Sequence, residues 1–496
     1  MTGKTSTARS PAAEAAIKAH RAKDMTEALR LYRSELELNP DDALILSNYG
    51  AALSETNDFQ GSLTALKRAV RVAPEMADAW CNLGNTLTHL QDYRGAVQAY
   101  QQSVKLNGNH PLAISNLAFA IDQLGDNPAL ARKLHKMAVR LDPENEQTRT
   151  NNALSLLREG NYLEGFREYE WRWTTYRKRL GLTVPTWQGE SMPGGTLFVT
   201  TEGGYGDMIQ FCRFLPQAEI VSSGNVVLTA RAELLSLLRH SFPTFTIIEE
   251  KGDIEPAHGQ KSGMGQSLAQ VSVMSLPFAL GATIDSIPMA GGYLAPPPVV
   301  IAEWKKLQAE ALLKEFGAEA EERLKKSLHI GLVWAGGAHS EVREAELANR
   351  RRSTDLSTFT KLAQYVPDSV FYSLQVGDKA DQALSPPAKM RMIDLTGHIQ
   401  DFSDTAGLIA NLDVVVAVDT STAHLAAAMG KPVIMLSRYD QCWRWLRGKV
   451  ETPWYETMRI FQQPAPFDWS EPVNCAGRAL KKMRKAKSQG KVLITC

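Results

Sequence analysis

The 496-residue sequence predicts an N-terminal helical solenoid followed by two lobes of α/β structure, and three observations carry that prediction. Turn residues recur at a near-constant interval through the first third. Short β-branched runs alternate with helical stretches through the remainder, the pattern of an open, mostly parallel sheet. Both α/β thirds also contain a buried strand that runs into a glycine- or hydroxyl-rich turn and then a helix. The boundaries fall at 10–180 for the repeats, 190–300 for the first lobe and 301–327 for a connecting helix. The second lobe covers 328–476, and 477–496 is a basic helix or tail.

Pro40, Pro74, Gly108 and Pro143 mark equivalent turns at intervals of 34, 34 and 35 residues. Within that frame Trp80, Leu83, Gly84, Leu87, Ala96 and Tyr100 follow the tetratricopeptide pattern. Leu46, Tyr49, Gly50, Leu66 and Ala69 repeat it one unit earlier, and Ala28 with Tyr32 earlier still. A partial unit over Asn152 to Trp173 closes the array. Asn48, Asn82, Asn116 and Asn151 share one repeat position on the inner helix. An amide offers both a donor and an acceptor, so such a row can hold an extended peptide backbone without reading its sequence. The other reading is that each amide bonds the neighbouring helix.

The turn-rich stretch Pro185 to Gly195 separates helical array from sheet. Thr196 to Thr200 reads as a strand, and Glu202 to Asp207 as a glycine turn before a helix at Met208 to Leu215. Gly204 and Gly206 let backbone approach a ligand closely. Asp207 is either an ordinary first-turn carboxylate or a base placed to take the proton of an attacking hydroxyl. Asn225 to Thr229, Thr244 to Ile248 and Val271 to Met274 add strands, Lys251 to Gln266 reads as a surface loop, and Glu303 to Lys326 as a charged helix.

In the final third, His329 to Trp334 is a buried strand ending in the Ala335-Gly336-Gly337 turn. Arg350, Arg351 and Arg352 read as a loop, solvated or, near a phosphate, forked donors matched to its oxygens. Val370 to Leu374 and Met392 to Leu395 are strands, Gln375 following the first, and Asp401 and Asp404 cap a helix. Asp413 to Val418 is a β-branched run of the kind that fills a buried parallel strand. It stops at Asp419, and Thr420, Ser421 and Thr422 offer three successive hydroxyls before an alanine-rich helix from His424. A helix N-terminus there favours an anion, which makes Asp419 to His424 the candidate donor-phosphate site of a sugar transferase. Trp443 and Arg444 either pack or line a cleft, and the basic run Arg478 to Lys491 is a solvated helix face.

The totals describe an ordinary globular chain, 44% hydrophobic and 22% charged. A net charge of +1 argues for neither a nucleic-acid nor a membrane partner. Five scattered cysteines without a C-x-x-C pair suit a reducing cytoplasm and argue against disulfides or structural zinc. Neither a secretory leader nor a transmembrane run is visible, so a cytoplasmic location is expected.

Gly204 to Pro216 (GYGDMIQFCRFLP), Asp401 to Ala406 (DFSDTA) and Val418 to Gly430 (VDTSTAHLAAAMG) together resemble the heptosyltransferase-like glycosyltransferases. Trp443 to Trp445 (WRW) and Pro453 to Tyr455 (PWY) match the subgroup in which tetratricopeptide repeats precede that domain. The resemblance implies a GT-B arrangement of two Rossmann-like lobes, inverting transfer from a nucleotide-sugar, and neither metal nor cofactor. The lack of a D-x-D triplet agrees with metal independence. It further implies Asp207 as base, with Thr420, Ser421, Thr422 and His424 at the donor phosphates and Arg351 and Arg352 near a basic phosphate contact. Gly204, Gly206, Gly336, Gln375 and Asp419 complete the candidate donor site. The acceptor expected is a serine or threonine of a protein held by the repeats, bacterial flagellin among the possibilities by resemblance. The alternatives are a saccharide or lipid-linked acceptor, or a non-catalytic scaffold whose transferase domain has decayed.

Overall fold

The computed structural model describes residues 10–173, 184–250, 267–337 and 343–491. The chain forms two compact units, Met1–Leu156 and Leu157–Cys496.

The first unit is built from antiparallel helix pairs: α1 (Pro11–Arg21) with α2 (Met25–Leu38), α3 (Ala43–Glu55) with α4 (Phe59–Val72), α5 (Ala77–His89) with α6 (Tyr93–Leu106), and α7 (Pro111–Leu124) with α8 (Pro128–Leu141). α9 (Glu146–Arg158) follows. The period has a local cause at each turn. Lys23, Asn57 and Gln91 adopt left-handed backbone at the end of a first helix. Asp24, Asp58 and Asp92 then cap the second, each accepting an N–H from the third helical residue. The glycines of the pattern allow close helix approach. A methyl on Gly50 would lie 2.5 Å from Leu66 Cγ, and one on Gly84 2.5 Å from the Tyr100 ring. Leu66, Ala69, Ala96 and Tyr100 are correspondingly buried.

The second unit opens with α10 (Tyr162–Tyr169) and holds two parallel sheets. The first has the order β3-β2-β1-β4, from β1 (Thr196–Thr200), β2 (Asn225–Ala230), β3 (Thr246–Glu249) and β4 (Leu268–Ser272). Its helices are α11 (Tyr205–Phe211), α12 (Leu215–Ser222), α13 (Ala232–Ser241) and the single turn α14 (Leu276–Ala279). The second sheet has the order β10-β9-β8-β5-β6-β7. Its strands are β5 (His329–Val333), β6 (Val370–Ser373), β7 (Met392–Asp394), β8 (Val414–Val418), β9 (Val433–Ser437) and β10 (Met458–Gln462). Every strand of β5, β6, β8 and β9 is buried along its length, as parallel strands covered on both faces must be.

Strand order fixes where a ligand can sit. The chain runs from β5 outward to β7 and then returns to β8 on the other side of β5. The crevice outside the carboxyl ends of β5 and β8 is therefore the topological switch point of this sheet. In the first sheet the corresponding point lies between β1 and β4. The Gly336 turn and the Asp419–Thr422 turn flank the former, and the Glu202–Asp207 turn leaves the latter.

Several elements differ from the sequence reading. The charged helix expected over Glu303 to Lys326 is two helices, α15 (Pro298–Phe316) and α16 (Ala320–Lys326), separated at Gly317 with φ +53°. The three arginines sit on a helix, α17 (Arg343–Arg352), rather than on a loop. β4 ends at Ser272, where the Ser272 hydroxyl accepts the Met274 N–H and turns the chain into a 3-10 segment. β10 was not anticipated. α18 (Thr360–Tyr365), α19 (Phe402–Ala410) and α20 (Ser421–Ala428) follow in order. The basic run belongs to α21 (Ser470–Ser488), whose Val473, Ala476, Leu480 and Met483 join the core beneath the second sheet. The loop read over Lys251 to Gln266 lies outside the described residues, as does the end of the basic tail.

Candidate active site

The candidate site is built on two helix starts. In the first lobe Gly203, with φ +74°, turns the chain after β1, and any side chain there would strike the Asp207 carboxylate. Asp207 Oδ2 accepts the Gly204 N–H at 2.8 Å and so fixes the turn onto α11. In the second lobe Thr420 caps α20, its hydroxyl donating to Val418 O at 3.2 Å and accepting the Ala423 N–H at 3.5 Å. Ser421 and Thr422 follow half-buried, with their N–H groups in the unsatisfied first turn.

His424, one turn on, is buried, with Nδ1 2.9 Å from the Tyr455 hydroxyl and Nε2 3.8 Å from Asp419 Oδ1. Burial pushes its imidazole down to about 4 against the opposing pull of Asp419, so the ring is neutral at pH 7. Asp419 in turn accepts the Trp445 indole N–H at 2.9 Å. Burial opposes the Asp419 charge, but His424 when protonated, the Arg352 guanidinium, that indole N–H and Arg438 hold its carboxyl below the ordinary range.

The two helix starts meet. A methyl on Gly206 would lie 3.1 Å from the His424 ring and 3.5 Å from Ser421 Cα, so α11 approaches α20 closely at this glycine and a side chain larger than a methyl would push the two apart. Arg444, from the segment after β9, completes the join: its Nη2 is 2.5 Å from Asp207 Oδ1 and its Nε 2.6 Å from Gln210 Oε1. Its guanidinium lies 4.6 Å from the Trp443 ring. Burial works against this charge and the Asp207 carboxylate outweighs it, holding the guanidinium above its ordinary value. Both readings of the W-R-W segment therefore hold. Trp443 packs against Phe166 at 5.7 Å between ring centres, while Arg444 faces the cleft.

The remaining candidates separate. A methyl on Gly336 would strike Asn349 and come within 2.7 Å of the Arg352 guanidinium, so that side chain lies directly over the turn. Arg352 Nε donates to Asn349 Oδ1 at 3.1 Å, and the residue makes no ion pair among the described residues. Burial pulls its charge below the ordinary value, against the field of Asp419. Arg351 instead pairs with the buried Asp440 at 2.8 Å. Gln375 is buried, its carbonyl accepting the Trp334 and Ala335 N–H groups at 3.1 and 2.8 Å. It holds the turn after β5 rather than presenting its amide to the crevice. In the first unit, Asn82 Nδ2 donates to Ser47 Oγ at 3.1 Å, Asn116 to Asn85 Oδ1 at 3.0 Å and Asn151 to Ser115 Oγ at 3.0 Å. These amides tie each repeat to the one before it. Asn48 stands at the head of the same row.

Two residues that sequence reasoning passed over shape the site. Arg213 is fully buried, and its guanidinium donates to the carbonyls of Gln210 (2.9 Å) and Trp454 (2.6 Å) and to the Tyr293 hydroxyl (2.8 Å). A charge inside the apolar run Phe211 to Leu215 was the available signal. Arg172 grips Glu202 through two 2.8 Å contacts, so the first carboxylate after β1 is occupied and Asp207 is the one that faces α20.

Comparison with known proteins matches a tetratricopeptide repeat at residues 77–110 and glycosyltransferase family 9 (heptosyltransferase) at residues 379–461. The chain is a tetratricopeptide-repeat protein with a heptosyltransferase-like domain. That domain is a glycosyltransferase domain of GT-B architecture, and the matched segment runs from before β7 to β10, taking in Asp419, His424 and Arg444. The chain is similar to Protein FlbA of Caulobacter vibrioides (strain ATCC 19089 / CIP 103742 / CB 15), 27% identical over 480 residues, covering 92% of this chain and 70% of FlbA. Among solved structures it is similar to MamA from Desulfovibrio magneticus RS-1, at 19% identity and a TM-score of 0.30, over 35% of this chain and 99% of MamA. It is also similar to YrrB, described as a TPR protein with an unusual peptide-binding site, at 19% identity and a TM-score of 0.26, over 30% of this chain and 77% of YrrB. Among the described residues, no helix is long and apolar enough to cross a membrane.

Proposed function

We propose that the heptosyltransferase-like domain moves a sugar, with inversion, from a nucleotide-sugar to a serine or threonine hydroxyl of a protein recruited by the repeats. The observation that carries this reading is the contact of Gly206 with His424 and Ser421, which brings the carboxylate of one lobe to the hydroxyl-rich helix start of the other. The acceptor oxygen attacks the anomeric carbon from the face opposite the diphosphate. Its proton passes to Asp207, and the bond from the anomeric carbon to the phosphate oxygen breaks, its electron pair leaving with the nucleoside diphosphate. The α20 N-terminus, Thr420, Ser421, Thr422 and Arg352 meet the charge that develops there. His424, neutral and tied to Tyr455, adds a hydrogen-bonding edge without adding a positive charge.

The test is incubation of the full chain with a panel of nucleotide-sugars and co-expressed candidate proteins, read by intact mass. A gain of one sugar mass on a protein supports the reading. Release of nucleoside diphosphate with transfer only to saccharide or lipid-linked acceptors moves the acceptor class. The inter-repeat bonds of Asn82, Asn116 and Asn151 take one N–H of each amide, which is the observation behind that second reading; a peptide held by the repeats would use the groups that remain.

A further inference from the structure

We propose that Arg444 is a switch between the two halves of the site: it pairs with Asp207 while the site is empty and turns to the donor's diphosphate when the site fills. This rests on the reading of the α20 turn as a donor site. In the structure Arg444 belongs to the second lobe, and it reaches across to Asp207 and Gln210 of the first. The carboxylate is thereby engaged at both oxygens, Oδ2 by the Gly204 N–H and Oδ1 by Arg444. A base so held is not placed to accept a proton from an attacking hydroxyl. The next residue, Trp445, lies 5.2 Å from the His424 ring between centres and donates to Asp419 at 2.9 Å, so this segment stands beside the helix start that would receive the diphosphate.

The competition has a direction. A nucleoside diphosphate carries more negative charge than one carboxylate, and its oxygens match the planar fork of arginine. Arg352, which makes no ion pair among the described residues, is a preformed half of that anion site. Arg444 is the half that must first be drawn from Asp207. Moving it does two things at once: it adds a second cation at the leaving group and frees Oδ1 for the acceptor proton. Donor binding therefore precedes productive acceptor binding, and the base is exposed only when there is a sugar to transfer.

The experiment is calorimetric titration of the full chain with the diphosphates of uridine, guanosine, cytidine, adenosine and thymidine, for wild type, Arg444→Gln, Arg444→Lys and Asp207→Asn. Arg444→Gln should bind at least about tenfold more weakly, and Arg444→Lys should recover part of that loss. Asp207→Asn should bind about three- to tenfold more tightly, because the competitor for Arg444 has been discharged. A purely structural role for the pair predicts unchanged or weaker binding in Asp207→Asn. If Arg444→Gln does not fold, judged by near-ultraviolet circular dichroism, Asp207→Asn and Arg444→Lys carry the test. Wild-type binding with no gain in Asp207→Asn overturns the switch alone. Failure of wild type to bind any of the five diphosphates overturns the donor-site reading, and the switch with it.

Discussion

Replacing Arg213 with methionine keeps the length of the side chain and removes its cation. Among the described residues the buried guanidinium has no carboxylate partner, and its charge is met by the Gln210 and Trp454 carbonyls, the Tyr293 hydroxyl and the faces of the Tyr293 and Tyr455 rings at 4.4 and 4.7 Å. Methionine takes the donor from the buried Trp454 carbonyl, leaves the Tyr293 hydroxyl with its own bond to Ile209 O and the Gln210 carbonyl with a 3.4 Å contact, at about 1–3 kcal/mol for each acceptor left short, offset in part by the desolvation that the charge no longer suffers. A net loss of about 3–5 kcal/mol follows from those unmet acceptors and the lost ring contacts, less the desolvation relieved. Roughly 340 residues make up the α/β unit, so its unfolding entropy is about 0.7 kcal/mol per kelvin. Differential scanning calorimetry should therefore show the α/β transition about 4–7 °C lower in Arg213→Met. Arg213→Lys should fall between, since an ammonium cannot reach acceptors spread around a planar fork. A shift below about 1.5 °C in Arg213→Met would mean that the buried charge is not holding α11 against the Trp454 loop, and would refute the reasoning.

Other outcomes follow from single sites. His424 titrates near 4 in the fold against 6.5 as an ordinary imidazole, so the unfolded chain takes up its proton first. Stability is full above pH 6.5 and declines as pH falls toward 4, by about 3 kcal/mol from this group. Thermal unfolding across that window should show wild type losing about that much more than His424→Asn. Gly206→Val should separate α11 from α20 and weaken nucleoside diphosphate binding by about tenfold or more, whereas Gly206→Ala, whose methyl lies 3.1 Å from a ring carbon, should be milder. Calorimetric titration distinguishes them. Gly84→Val drives a side chain into the Tyr100 ring and should cost the solenoid about 1–3 kcal/mol, read as an earlier first transition in urea.

The repeats were legible because their signal is local and repeated: a small residue, an aromatic and a turn recur every 34 residues, and each has a steric reason within its own helix pair. β5, β8 and β9 were legible as unbroken apolar runs, and α20 because a strand of valines ends abruptly in hydroxyls. What failed was of two kinds. The arginine helix α17 buries Leu347 alone, so its sequence carries no apolar period to separate it from a loop. The Arg444–Asp207 contact joins residues 237 positions apart, and nothing near either residue encodes its partner. Arg351 and Arg352 are adjacent and chemically identical, yet one is taken by Asp440 and the other stands over Gly336. Only helix phase and the placement of a distant carboxylate decide which of the two pairs with Asp440.

The central claim is that Asp207, brought to the α20 helix start by the Gly206 contact, is the base of a glycosyl transfer. Its most direct measurement is single-turnover transfer by wild type and Asp207→Asn, with donor saturating and calorimetric titration confirming that the variant still binds nucleoside diphosphate. The account predicts that transfer falls by about 10²–10⁴-fold in Asp207→Asn while diphosphate binding is retained. Transfer at the wild-type rate in that variant would contradict it.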